Sequence, residues 1–132
     1  MDPIQWVEKG NSLKIEGNEF FKTQNYETAI EKYEEALDFI DWEVLDGVIQ
    51  MKVDLNNNIA LCFIKIQKYK TALRFCNRAL EMDKTNIKSL LWKSKALCEL
   101  QKYEDSLDIL KKALEIYPED KELKFEFNRV KL

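Results

Sequence analysis

Apolar positions recur every three or four residues along most of the chain, which is the spacing of amphipathic α-helices. Three stretches share almost the same pattern: NYETAIEKYEEALDF from Asn25, KYKTALRFCNRALEM from Lys68 and KYEDSLDILKKALEI from Lys102. A second periodic segment precedes each of them, namely SLKIEGNEFFK, LNNNIALCFIKI and SLLWKSKALCEL. The pattern therefore predicts a repeating unit of two helices joined by a short turn.

Small residues recur at fixed places in these units. Each of the three stretches has a tyrosine, a small residue three positions later and an alanine ten positions later. Tyr69 and Tyr103 are 34 residues apart, whereas Tyr26 and Tyr69 are 43 apart. Nine extra residues therefore lie between the first two units, within DFIDWEVLDGVIQMKVD, and we expect them to lengthen both flanking helices around a short loop.

The period and the small positions resemble the tetratricopeptide repeat (TPR), a helix pair of 34 residues. If position 1 falls at Gly10, Val53 and Ile87, position 8 is small in every unit and position 11 is large and apolar. Pro118 then occupies position 32 of the third unit. The resemblance covers roughly residues 10–118.

The resemblance implies an all-α fold in which residues 1–132 form a single domain. The implied architecture is an α-solenoid of three helix pairs and a C-terminal capping helix, which makes seven helices in a right-handed superhelix. The expected bounds are about 10–43, 53–86 and 87–120 for the three repeats and about 119–132 for the capping helix. We expect a cap because the last repeat of a solenoid would otherwise expose an apolar face.

Composition narrows the possible functions. Gly 3 and Pro 2 provide few turns, which disfavours a many-stranded sheet. Histidine is absent, so we predict no catalytic residue, no cofactor and no metal site. The net charge of −3 does not attract nucleic acid, and no apolar run is long enough to cross a membrane. Cys62, Cys76 and Cys98 are expected to be buried thiols, and the cytoplasm is the expected location.

Some tetratricopeptide domains hold the C-terminal carboxylates of heat-shock chaperones in a groove called a carboxylate clamp. Four of the five clamp positions match in this sequence: Lys14, Asn18, Asn58 and Lys88. Lysines supply charge to a carboxylate, and asparagine amides supply directional N–H donors without adding charge. The ligand implied by the resemblance is a chaperone tail ending Glu-Glu-Val-Asp, from the ninety- or seventy-kilodalton class.

Trp92 stands at the fifth clamp position, where the family has arginine, and an indole offers one donor and no charge. Lys95, one turn further on, could supply the lost charge. Alternatively, Trp92 makes a more apolar groove that prefers another peptide, or it packs against a neighbouring helix. Phe21, Leu61 and Lys65 stand at positions that line the apolar pocket for the peptide in clamp domains.

The predicted function is that of a co-chaperone adaptor without catalysis, most similar to the tetratricopeptide domains of immunophilins. Two alternatives remain open. The chain could be an adaptor for a different peptide or for a helical partner, because Trp92 replaces the clamp arginine. It could also be the C-terminal module of a peptidyl-prolyl isomerase whose catalytic domain lies outside these residues. The sequence does not indicate an oligomeric state.

Overall fold

The residues that the computed structural model describes, 2–40 and 46–132, form seven α-helices and no β-strand. This observation confirms the predicted all-α fold. In chain order the helices are α1 (Pro3–Lys22), α2 (Tyr26–Ile40), α3 (Asp46–Lys65), α4 (Tyr69–Met82), α5 (Ile87–Glu99), α6 (Tyr103–Ile116) and α7 (Lys121–Lys131).

The helices stack in two layers. Helices that are consecutive in the chain pack against each other, and α1, α3, α5 and α7 also contact one another along a common layer. We call this the inner layer. In the described part of the chain, α2, α4 and α6 contact only their neighbours in sequence. The first helix of every pair therefore belongs to the inner layer, and α7 covers its end beside α5, as expected of a cap.

The insertion lengthens α3. Helix α3 begins at Asp46, well before the expected start of repeat two at Val53. Helix α2 is described as far as Ile40, and the residues into which it was expected to lengthen lie outside the described residues, so that expectation stays a prediction. Part of the predicted insertion, residues 41–45, lies outside the described residues, as does the expected end of repeat one near 43. The repeat bounds themselves stay predictions.

Glutamine makes the turn inside each helix pair. Gln24, Gln67 and Gln101 all have φ at 64°, in the left-handed region. The Gln67 N–H donates to the carbonyl oxygen of Ile64 at 3.0 Å, and the following N–H donates one residue further back at 2.8 Å. These two bonds define a Schellman motif, which usually carries glycine. The chain thus turns with few glycines, at a cost of about 1–2 kcal/mol per left-handed glutamine.

Helix α1 approaches α2 closely because it carries glycine at two contact positions. A Cβ on Gly17 would lie 2.5 Å from Cε1 of Tyr33, and a Cβ on Gly10 would lie 2.8 Å from Cγ2 of Ile40. The Tyr33 and Ile40 side chains are both fully buried. Only glycine permits this spacing, which fixes the distance between α1 and α2.

Two apolar clusters form the core. The first cluster includes Tyr33 and Leu55 and joins α1 to α4, while the second includes Leu110 and Leu123 and joins α5 to α7. Trp92 of α5 is half-buried and packs against both clusters. Helix α5 therefore connects the two halves of the core.

The cysteines are buried free thiols, which confirms their expected role as small apolar residues. Cys62 and Cys76 are fully inaccessible and belong to the first cluster. Burial raises the pKa of each of these two thiols to about 12. Both thiols are consequently neutral at physiological pH, because a buried thiolate would lose its hydration.

Candidate functional site

Four sequence-predicted binding residues meet at one cavity on the inner layer. This cavity, which we call the inner cavity, has a volume of about 280 Å³ and is lined by Lys14, Asn18, Asp54, Asn57, Asn58 and Lys88. The residues come from α1, α3 and the start of α5, which lie side by side in the inner layer. Lys14 and Asn18 on α1 are four residues apart, as are Asp54 and Asn58 on α3, so each pair shares a helix face. Their role in binding a ligand stays a prediction.

The side chain of Asn18 is oriented by a buried tyrosine. The Tyr33 hydroxyl donates to Oδ1 of Asn18 at 2.7 Å. This bond occupies the acceptor of the amide, and Nδ2 has no partner among the described residues, which leaves two donors for the cavity. Burial also raises the pKa of the Tyr33 phenol, so it remains a donor. Sequence reasoning did not identify this positioning role of Tyr33.

Two of the predicted residues have no internal partner. Within the described part of the chain, neither Asn58 nor Lys88 makes a hydrogen bond or an ion pair through its side chain. Lys88 is exposed and Asn58 is half-buried. An ammonium group and an amide are thus available to an incoming acceptor, which is the arrangement that carboxylate recognition needs.

Lys14 differs from Lys88 because it already has a carboxylate partner. Its Nζ lies 3.5 Å from Oδ2 of Asp54, while Nε2 of Gln50 donates to Oδ1 of Asp54 at 3.0 Å. Asp54 lies one turn before Asn58 and faces the same cavity. Sequence reasoning missed Asp54, although its spacing from Asn58 was a usable signal.

Asn57 lines the inner cavity, but both polar atoms of its side chain already have hydrogen-bond partners within the protein. Its Nδ2 donates to Oδ1 of Asn86 at 2.9 Å, and its Oδ1 accepts from the Ser89 hydroxyl at 2.6 Å. Oδ1 of Asn86 also caps α5 by accepting from the Ser89 N–H at 3.0 Å. The network ties α3 to the N-terminus of α5 and thereby fixes the position of Lys88 relative to Asn58.

The part of the inner layer around Trp92 differs from the inner cavity. Trp92 packs against both core clusters and does not line the inner cavity. The ammonium of Lys95 lies 5.5 Å from the centroid of the Trp92 ring and 3.4 Å from Oε1 of Glu126 on α7. Arg129 donates to the same carboxylate at 2.9 Å, and this hydrogen bonding raises the pKa of Arg129. Of the readings left open by the sequence, packing of Trp92 against neighbouring helices is the one that the structure shows.

The three remaining predicted residues do not line the inner cavity. The half-buried Phe21 belongs to the first core cluster and meets the Tyr26 ring edge-on at 5.3 Å between centroids. Leu61 is half-buried and Lys65 is exposed. The structure therefore places these side chains apart from the four clamp-type residues, and their contribution to an apolar pocket stays a prediction.

A larger cavity, of about 600 Å³, lies between α2 and α4 in the outer layer. It carries both signs of charge side by side, with Arg74 and Arg78 facing Glu34, Asp38 and Glu81. The inner cavity also has one carboxylate, that of Asp54, but its other lining residues are two lysines and three asparagines, which concentrate ammonium and amide donors. We therefore place the candidate site in the smaller, inner cavity.

The described residues hold neither a metal-binding cluster nor a membrane-spanning helix. They contain no group of three or more histidine, cysteine, aspartate or glutamate side chains placed to hold a metal ion. None of their helices combines the length and the apolar character needed to cross a bilayer.

Sequence comparisons agree with the architecture. The tetratricopeptide repeat family profile matches residues 64–124. The chain is 31% identical over 121 residues to the peptidyl-prolyl cis-trans isomerase FKBP42 of Arabidopsis thaliana, covering 86% of this chain and 33% of that protein. It is 26% identical over 130 residues to FKBP4 of Mus musculus, covering 94% of this chain and 28% of that protein. The chain thus spans a third or less of these curated relatives.

Solved structures agree closely as well. The C-terminal TPR-containing domain of an FK506-binding protein from Plasmodium falciparum matches with a TM-score of 0.85 and 28% identity, covering 98% of this chain and 91% of that one. The second TPR domain of human RPAP3, in complex with the HSP70 peptide SGPTIEEVD, matches with a TM-score of 0.80 and 27% identity, covering 99% of both chains. The first TPR of Spaghetti, bound to the HSP90 peptide SRMEEVD, gives 0.82 and 25%, covering 95% and 92%.

Stacked helix pairs with a polar cavity on the inner layer define a helical solenoid of the protein-interaction class, which is non-catalytic. The chain is a tetratricopeptide repeat domain, homologous to the corresponding regions of FK506-binding-protein isomerases. Among its structural neighbours are domains that bind the C-terminal peptides of HSP90 and HSP70.

Proposed function

We propose that this domain binds the C-terminal tail of a heat-shock chaperone in the inner cavity and acts as a co-chaperone adaptor. One observation carries the proposal: Lys14, Asn18, Asn58 and Lys88 line a single cavity although they come from three helices. Neither Lys88 nor Asn58 has an internal partner among the described residues, so both can serve a ligand without breaking a bond.

The chemistry of the cavity suits a chain terminus. A C-terminal residue presents a main-chain carboxylate whose two oxygens accept several hydrogen bonds, and the cavity offers ammonium and amide donors to them. A charge-assisted hydrogen bond contributes about 1.5–3 kcal/mol, so a few of them can anchor a short extended peptide. The neighbours that hold SRMEEVD and SGPTIEEVD support this ligand class.

The proposal is tested by calorimetric titration with SGPTIEEVD as a free acid and as its C-terminal amide. We expect the free acid to bind and the amide to bind at least about tenfold more weakly, because the amide removes the terminal charge. Equal binding of the two forms, or no binding by either, would contradict the proposal.

A pair of lysine variants locates the binding site. Lys88→Ala should weaken binding of the free acid by about tenfold, since it removes the uncommitted ammonium of the cavity. Lys112→Ala is the matched control, because Lys112 is exposed on α6 of the outer layer. If the two variants lose the same affinity, the peptide binds elsewhere.

The relatives also support a proposal about the whole protein. Because the regions matched belong to proteins called peptidyl-prolyl cis-trans isomerases, this domain would act as the targeting module of such an enzyme in a longer chain. Sequencing the transcript that encodes these residues would test this, since an isomerase domain in the same reading frame is the expected result.

A further inference from the structure

We propose that the carboxylate of Asp54 pairs with the ammonium of Lys14 and thereby limits the inner cavity to binding one ligand carboxylate. The cavity would accept the terminal main-chain carboxylate of a peptide and gain nothing from a second carboxylate on the last side chain. This inference rests on the proposed function, because it concerns the specificity of the same site.

The geometry shows that both oxygens of Asp54 are engaged. Oδ2 lies 3.5 Å from the ammonium of Lys14, and Oδ1 accepts from the Gln50 amide at 3.0 Å. The side chains of Lys14 and Asp54 are only 23% and 40% exposed. The pair is therefore partly shielded from water at the rim of the cavity, where its charges act on a bound ligand.

The charges of the cavity then sum to one positive unit. Lys14 and Lys88 bring two positive charges, and Asp54 removes one of them. Trp92 adds none, and Lys95 does not line the inner cavity, its ammonium lying 3.4 Å from the buried carboxylate of Glu126. A peptide ending in aspartate brings two carboxylates, so one of them has no matching cation.

The donors that remain suit one carboxylate. Lys88, Nδ2 of Asn58 and Nδ2 of Asn18 have no partner among the described residues, and three donor groups satisfy the two oxygens of a single carboxylate. A second carboxylate would have to approach Lys14 beside Asp54. Two carboxylates at one lysine repel each other, which offsets the attraction of the ammonium.

The inference is tested by titrating SGPTIEEVD and the same peptide ending in asparagine, both as free acids, into the wild-type domain and into Asp54→Asn. The wild-type domain should bind the two peptides within about twofold of each other. Asp54→Asn should bind the aspartate-ending peptide about three- to tenfold more tightly and change affinity for the asparagine-ending peptide by less than about twofold.

Two control variants separate a local effect from a change in net charge. Asp38→Asn removes one negative charge from the exposed surface of α2, outside the inner cavity, and should leave both affinities unchanged. In a Lys14→Ala background, Asp54→Asn should lose most of its benefit, because the two side chains act as a pair.

The results separate the two proposals. A wild-type preference for the aspartate ending of about tenfold or more would overturn the inference, and so would an Asp54→Asn variant that improves both peptides equally or neither. The proposed function fails by a different result, namely equal binding of free acid and amide by the wild-type domain.

Discussion

The two ends of the inner layer differ in whether a lysine is left without an internal partner among the described residues. At the end formed by α1, α3 and the start of α5, Lys88 and Asn58 have no internal partner among the described residues. At the end formed by α5 and α7, Lys95 pairs with Glu126, whose side chain is 6% exposed and also bonds Arg129. We call these the open end and the closed end.

This difference shows that a basic residue in a groove is not automatically a ligand-binding residue. Lys95 lies one turn from Trp92 and would be counted as a binding lysine from its position alone. Its ammonium already pairs with Glu126, a carboxylate that it shares with Arg129, so the cap does more than cover an apolar face. Under the proposed function, a ligand carboxylate would therefore meet an unpaired lysine at the open end.

The largest expected effect is a loss of stability in Gly17→Ala, which disturbs the contact between α1 and α2 at the open end. The new methyl group would lie 2.5 Å from Cε1 of the buried Tyr33, so we expect a loss of about 2–3 kcal/mol in the free energy of unfolding, measured with urea. Gly47→Ala is the control, since nothing lies within 4 Å of its Cβ, and it should be neutral or slightly stabilising. Equal stability of the two variants would contradict the close approach of α1 to α2.

Alkaline pH should destabilise the cluster beneath the open end. Burial raises the pKa of the Cys62 and Cys76 thiols from 9.0 to about 12, so these thiols stay protonated in the folded state while the unfolded chain loses both protons. Their stabilising contribution is complete below about pH 9 and falls above it by about 1.4 kcal/mol per thiol per pH unit. Urea unfolding at about pH 8 and about pH 10 measures a loss of about 2–3 kcal/mol. A variant with alanine at both positions should lose most of this dependence.

The ion pairs at the closed end depend on the charge of Glu126, which Glu126→Gln removes. Glu126→Gln should cost about 1–2 kcal/mol of stability, a modest value because Lys95 and Arg129 are 33% and 43% exposed and can turn to water. Glu35→Gln on the exposed face of α2 is the control. If the freed Lys95 reaches the ligand, the same variant should bind the free-acid peptide up to about fivefold more tightly. Unchanged stability would show that the closed end is not held by this carboxylate.

The smallest expected effect concerns the orientation of Asn18. Tyr33→Phe removes the hydroxyl that donates to Oδ1 of Asn18 at 2.7 Å and keeps the buried ring. We expect a loss of about 1 kcal/mol in stability and about two- to fivefold in affinity for the free-acid peptide, because the amide can rotate away from the cavity. In an Asn18→Ala background the affinity loss should disappear, which a purely structural role of the hydroxyl would not produce.

The sequence predicted the helices, and it named four residues that line the inner cavity, whose role in binding stays a prediction. A fixed period places Lys14, Asn18 and Asn58 on defined helix faces, and stacking of equal units brings those faces to the same layer. The same reasoning missed Asp54 and Glu126, whose spacing along the chain says little about which cations they meet.

The local sequence pattern therefore accounts for the helix pairs, their small contact residues and the layer on which the polar side chains lie. These properties depend on the period of the helix and on residue size, which are local. The pairing of the lysines depends instead on how separate helices pack, since Lys14 meets a carboxylate 40 positions away and Lys95 meets one on the capping helix. Whether two charged side chains on separate helices pair depends on a few ångströms of separation, and no pattern along the chain encodes such a distance.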